Sequence, residues 1–156
     1  MTEAVVFDLD GTIADTVNLV KGNQRRVPYD ALKVSGSGDR GAPLRFTDNR
    51  EELPGELSAK GYRVALVTDS PAPYASTLAD LLNIDFERLL AGGRRGKVSK
   101  LLQLAEDWDL DPVEMTYVGD RHRDSDSGDL DAADEVGCEY IPVEDIGVLR
   151  DRKSVV

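Results

Sequence analysis

Apolar residues along this chain fall into short unbroken runs and into helical steps, and the two kinds alternate. Ala4-Val5-Val6-Phe7 is apolar throughout and rich in β-branched residues, with no polar position between its members. Such a run predicts a strand buried on both faces. Further strand candidates lie at 62–68, 86–90, 115–118 and 138–143. Between them the period lengthens. Leu53 and Leu57 stand one turn apart in a helix that Asp48 or Asn49 would cap, with Pro54 and Gly55 predicting a kink or a late start. Pro71 and Pro73 suit the first turn of a helix that continues through Leu78, Leu81 and Leu82. A helix over 98–107 puts Leu101, Leu104 and Ala105 on one face, with Trp108 just beyond it. Leu130, Ala133 and Val136 mark another within the acidic stretch 120–135, and 143–153 reads as a closing helix with a frayed tail.

One stretch breaks the pattern. Residues 14–23 have weak helical character through Val17 and Val20, and residues 24–47 follow no period. Pro28, Ser35-Gly36-Ser37-Gly38 and Gly41-Ala42-Pro43 predict turns there, with short strands at 31–34 and 44–46. This is read as a flap over about 17–47. Five strands separated by helices predict one α/β domain over 1–156, a parallel sheet with helices on both faces.

Composition narrows the class. A chain of 156 residues, 40% apolar, is long enough to bury a sizeable core. It has no apolar run of membrane-spanning length and no signal-peptide pattern, so the expectation is a cytoplasmic protein without a membrane partner. Cys138 is the lone cysteine, which excludes an intramolecular disulfide. The net charge of −11 argues against a protein that coats nucleic acid or anionic membranes. Asp outnumbers Glu 20 to 10 and Arg outnumbers Lys 13 to 6, a bias that either solubility or a high-salt cytoplasm accounts for. The distribution says more than the total. Residues 21–45 are net +4, while the rest of the chain is −15. Arg94, Arg95, Lys97 and Lys100 form a second basic cluster. In an acidic chain, both look prepared for an anion.

The candidate chemistry sits at strand ends. Asp8 and Asp10 end the first strand, Thr68-Asp69-Ser70 the second and Gly119-Asp120 the fourth. Open α/β sheets place their ligands at this edge. In an ideal strand, residues i and i+2 point to one side, so the two carboxylates could converge on one centre. They would repel there unless a cation or a shared proton intervened, which makes a metal site or an acid/base pair the working idea. Gly11 allows the sharp turn that follows.

The order Asp8-Leu9-Asp10-Gly11-Thr12, then Val67-Thr68-Asp69, then Lys97, then Gly119-Asp120 resembles the haloacid dehalogenase (HAD) superfamily, over essentially the whole chain. The resemblance implies a three-layer HAD-like (Rossmannoid) fold and a phosphatase branch, since a second aspartate stands at position 10. It implies that Asp8 attacks phosphorus and that Asp10 serves as acid and then base. Thr68 and the backbone N–H of Asp69 would hold a phosphoryl oxygen, and Lys97, preferred over Arg94, Arg95 and Lys100, would neutralise charge at the nucleophile and phosphate. Mg²⁺ would be held by Asp8, the backbone carbonyl of Asp10, Asp120 and a second acid of the last motif. For that acid Asp124, Asp126 and Asp129 compete, and Asp124 is favoured. The run 124–129 also hints at a calcium loop, but its glycine is one position early. His122, the one histidine, reads as a solvated loop residue.

The intervals between motifs leave room for a flap but no cap domain. Capless relatives act on large substrates or borrow a neighbouring subunit as a lid. The expected partner is therefore a phosphorylated substrate, either a small metabolite or a nucleic-acid end meeting Arg25, Arg26 and Arg40, with a homo-oligomer as a possible source of the lid. No aromatic series favours the polynucleotide. Two other classes are a non-catalytic binding protein on the same scaffold, against which the intact carboxylates and Lys97 speak, and a response-regulator-like receiver, which carries its phosphorylated aspartate later in the chain.

Overall fold

The central strand of the sheet is the first one in the chain, and the others add to it on either side. The computed structural model describes residues 2–14, 46, 48–92, 96–120 and 129–152. Strands β1 (Ala4–Phe7), β2 (Arg63–Thr68), β3 (Arg88–Ala91), β4 (Met115–Gly119) and β5 (Glu139–Pro142) form one sheet in the order β3-β2-β1-β4-β5. All pairings are parallel. Phe7 is in register with Leu66 of β2 on one side and Val118 of β4 on the other, so the carboxyl ends of the three inner strands lie at one height.

Strand alternation divides the core into two layers. Val5, Phe7, Val64 and Leu66 face helices α1 (Leu53–Ala59), α2 (Ala72–Leu81) and α5 (Gly147–Arg152). Ala4, Val6, Ala65, Val67 and Tyr117 face α3 (Gly96–Asp107) and α4 (Asp129–Val136). All of β1 is fully buried, as its unbroken apolar run predicts. The result is the three-layer α/β arrangement expected from the sequence. Among the described residues no helix is long and apolar enough to cross a membrane.

Several boundaries differ from the sequence expectation. Asn49 does not cap a helix with its side chain; it takes a left-handed φ of 56° and leads into a 3₁₀ turn over Arg50–Glu52. The α-helix starts late, at Leu53, with Pro54 in its first turn, where a missing N–H costs nothing. Strand β3 begins at Arg88 rather than 86, and Phe86 ahead of it packs against the Phe7 ring, 6.5 Å between centroids. The closing helix is split into a 3₁₀ turn, Val143–Asp145, and α5. The weak helix over 14–23 and the flap with its two short strands lie almost wholly outside the described residues.

Candidate active site

Asp8 follows directly on β1 and continues the alternation of Ala4 and Val6, so its side chain emerges on the α3 side of the sheet. Its backbone N–H donates to the Val118 carbonyl at 2.9 Å, extending the β1–β4 pairing by one step. The carboxylate is buried, and Lys97 in the first turn of α3 brings its Nζ to 3.4 Å from Asp8 Oδ1. The side chains of this pair are only 7% and 9% exposed, so water screens their attraction weakly. Thr12 Oγ1 reaches Asp8 Oδ2 at 3.5 Å.

Asp10 behaves differently. The chain leaves the strand after Asp8: the Leu9 carbonyl accepts from the N–H groups of Thr12, Ile13 and Ala14, and Gly11 takes a φ of 81°. Asp10 therefore stands in a tight turn, not in a strand. Its carboxylate lies toward α2, where Ser70 Oγ donates to Oδ2 and the Tyr74 hydroxyl donates to Oδ1, each at 2.8 Å. The expectation that strand geometry alone aims both carboxylates one way is corrected by this turn. Asp8 is held with a buried cation, and Asp10 is held by two hydroxyls.

Thr68 ends β2 and Asp69 follows it, one and two residues beyond the level of Asp8. Thr68 Oγ1 accepts the N–H of Ser70 at 3.1 Å, which fixes the turn after the strand. A hydroxyl that accepts one bond still carries its own proton for a phosphoryl oxygen. The Asp69 carboxylate pairs with Lys100 Nζ at 3.0 Å, and Lys100 also donates to the Gly96 carbonyl at 3.4 Å. Of the two lysines one turn apart on α3, Lys97 thus goes to the Asp8 carboxylate and Lys100 ties the β2 loop to the helix start. Asp120, buried, stands just past β4, two residues beyond the Val118 that pairs with Phe7.

The chemistry of the donors fits a hard cation: two buried carboxylates at neighbouring strand ends and the carbonyl of Asp10 are all oxygens. Among the described residues, no group of three or more His, Cys, Asp or Glu side chains is gathered as a metal cluster. Asp124, the favoured further ligand, lies outside the described residues, as do Asp126, Arg25, Arg26, Arg40, Arg94, Arg95 and His122. Asp129 opens α4.

Three residues of this region carried no assigned role in the sequence reading. Ser70 and Tyr74 could have been picked out from Pro71 and Pro73, which start α2 immediately after the β2 loop and place Tyr74 in its first turn. Arg50 donates to the Gly11 carbonyl at 3.3 Å while its guanidinium lies 3.9 Å from the Phe46 ring centroid. Nothing in the local sequence pairs Arg50 with a glycine thirty-nine residues earlier.

No family model matches the chain. The phosphoglycolate phosphatase of Escherichia coli K12 is 32% identical over 90 residues, 54% of this chain and 34% of that protein, so the match spans about a third of the curated relative's length. Among solved structures, CbbY from Rhodobacter sphaeroides in complex with phosphate aligns over 91% of this chain and 86% of its own, with a TM-score of 0.60 and 21% identity. A second form of that protein, holding xylulose-(1,5)bisphosphate, aligns with a TM-score of 0.59 and 22% identity over the same shares. A HAD-family enzyme from Bacteroides thetaiotaomicron, in complex with magnesium and inorganic phosphate, aligns over 91% of this chain and 94% of its own, with a TM-score of 0.55 and 12% identity. These structures share the fold.

Proposed function

We propose that the chain is a phosphatase of the haloacid dehalogenase superfamily, as its partial match to a phosphoglycolate phosphatase supports, and that it hydrolyses a phosphomonoester through a phosphoryl group carried on Asp8. The observation that carries this reading is the division between the two aspartates. Asp8 is buried beside Lys97, while Asp10 is held apart by Ser70 and Tyr74. A nucleophile and an acid/base must be distinct groups with distinct surroundings.

An Asp8 carboxylate oxygen attacks phosphorus, and the ester P–O bond breaks with its electron pair going to the leaving oxygen. Asp10 gives that oxygen a proton. Water then attacks the aspartyl-phosphate as Asp10 takes up the water proton. The acyl P–O bond breaks, and Asp8 returns to a carboxylate with release of phosphate. Lys97, Thr68 and the Asp69 N–H offer positive charge and donors to the phosphoryl oxygens. Mg²⁺, held by Asp8, Asp120 and the Asp10 carbonyl with the second acid expected at Asp124, would supply charge neutralisation between nucleophile and phosphate.

For the substrate, a small phosphorylated metabolite is favoured, because the relatives named above act on or hold such molecules. The basic segment with Arg25, Arg26 and Arg40 supports a substrate carrying anionic charge beyond the reacting phosphate, a bisphosphate or a nucleic-acid end. A lid from a second copy of the chain remains part of this reading.

The test is hydrolysis of an aryl phosphate with and without Mg²⁺. Turnover is expected only with the metal, abolished in Asp8→Asn and cut by roughly 10²-fold or more in Asp10→Asn. A pure protein silent on aryl, sugar and oligonucleotide phosphates would sink the enzyme reading. Loss of oligonucleotide turnover alone in Arg25→Ala/Arg26→Ala would identify a polynucleotide-end phosphatase; equal losses would favour the small molecule.

A further inference from the structure

The acid/base carboxylate of this site is held by two hydroxyls, one from the loop after β2 and one from α2, and neither residue belongs to the four motifs that carry the family resemblance. Ser70 Oγ and the Tyr74 hydroxyl donate to separate oxygens of Asp10, both at 2.8 Å. Ser70 and Tyr74 are themselves buried, at 6% and 3% exposure, and Ser70 is fixed through its N–H by Thr68. Asp10 cannot hold this orientation through β1, because it stands in the turn after the strand. A carboxylate gripped at both oxygens loses rotation about its Cβ–Cγ bond. A proton on it is then delivered along one fixed direction.

We propose that Ser70 and Tyr74 are positioning residues that aim the Asp10 carboxyl at the leaving-group oxygen and at the attacking water. This deepens the phosphatase reading and rests on it. Ionised, Asp10 accepts from both hydroxyls, as observed. Protonated, it keeps acceptor sites for them, because each carboxyl oxygen has two lone-pair directions and one proton occupies only one of the four. The same clamp therefore serves both halves of the cycle. It also joins catalysis to the β2–α2 junction, since Pro71 starts α2 directly after Ser70 and sets where Tyr74 falls.

The test compares wild type, Tyr74→Phe, Ser70→Ala and Ser70→Thr on phosphate monoesters whose leaving groups run from nitrophenol to a simple alcohol. The kcat/KM value reads the first transfer, in which a poor leaving group needs the Asp10 proton and nitrophenolate does not. Tyr74→Phe and Ser70→Ala are each expected to lose roughly tenfold in kcat/KM on the alkyl ester, a part of the usual general-acid contribution, and less than threefold or so on the nitrophenyl ester. The inhibition constant of inorganic phosphate should not change, and Ser70→Thr should restore most of the loss. Thermal melting of each variant checks that the fold is intact; Tyr74→Phe removes only one oxygen. Equal losses across the ester series, or no loss while wild type turns over, overturn the inference. A wild type inactive on every ester overturns the phosphatase reading and the inference with it, and that result is distinct from the other two.

Discussion

Lys97 and Asp8 form a pair whose worth changes sign with what is removed. Each is about nine-tenths buried, so each charge relies on the other in place of water. Taking away one partner of such a pair strands the other, at a cost of about 3 kcal/mol or more, whereas removing both charges leaves no stranded group. Lys97→Met and Asp8→Asn should therefore each lower the urea midpoint, and the double variant should be more stable than the sum of the singles requires. Strict additivity in the urea melts would show that the two charges do not depend on each other. All three variants should be inactive, so activity cannot stand in for this measurement. Cys138 gives a second residue-scale expectation. Burial pushes its thiol up to about 11, with its own backbone hydrogen bond opposing and Asp134 adding to the rise. The thiolate is the reactive form, so alkylation at pH 8 should be slow in the native protein and fast once it is unfolded. Between about pH 9 and 11 the unfolded chain has released this proton while the native chain retains it. Stability should therefore fall as pH rises through that window, and Cys138→Ala should flatten the decline.

At the scale of elements, the junctions at the carboxyl edge hold the site together more than the strands do. Gly92 follows β3 with a φ of +68°, donates to the Thr68 carbonyl at 3.3 Å, and has the Pro71 Cα 3.4 Å from where a Cβ would stand. Gly92→Ala is strained by its φ, while the added methyl would rest in van der Waals contact with Pro71. It should cost about 1–2 kcal/mol, seen as a lower urea midpoint with an unchanged slope. An unaltered midpoint would mean the junction absorbs the methyl group. These junctions were also where the sequence was least legible. The β1 run, the Leu101–Leu104 face of α3 and the placement of Asp8, Thr68, Lys97 and Asp120 at one edge followed from periodicity and motif order, because core burial and strand ends leave regular marks. The separate holding of Asp10 did not, because it depends on a turn that ends the strand two residues sooner than alternation suggests. Ser70, Tyr74 and Arg50 reach their partners across 60, 64 and 39 residues, distances over which no local pattern operates.

For the molecule as a whole, a net charge of −11 opposes compaction, and the site adds buried carboxylates to that burden. Simple salt should raise the melting temperature by screening the repulsion, most steeply below about 0.15 M, where the Debye length is longer than about 8 Å. Magnesium should do more than an equal ionic strength of NaCl, because Asp8 and Asp120 stand buried at neighbouring strand ends with oxygen donors that suit it. A ligand that binds only the native state adds RT ln(1 + [L]/Kd), about 1.4 kcal/mol at ten times Kd. The comparison is therefore a melting series in MgCl₂ against NaCl at matched ionic strength, for wild type and for Asp120→Asn. The wild type should show an excess stabilisation that saturates with Mg²⁺, and Asp120→Asn should follow the NaCl curve in both salts. Coincident curves for the wild type would mean that the cation is only part of the ionic atmosphere. An excess that persists in Asp120→Asn would place the cation on acids other than the pair at β1 and β4.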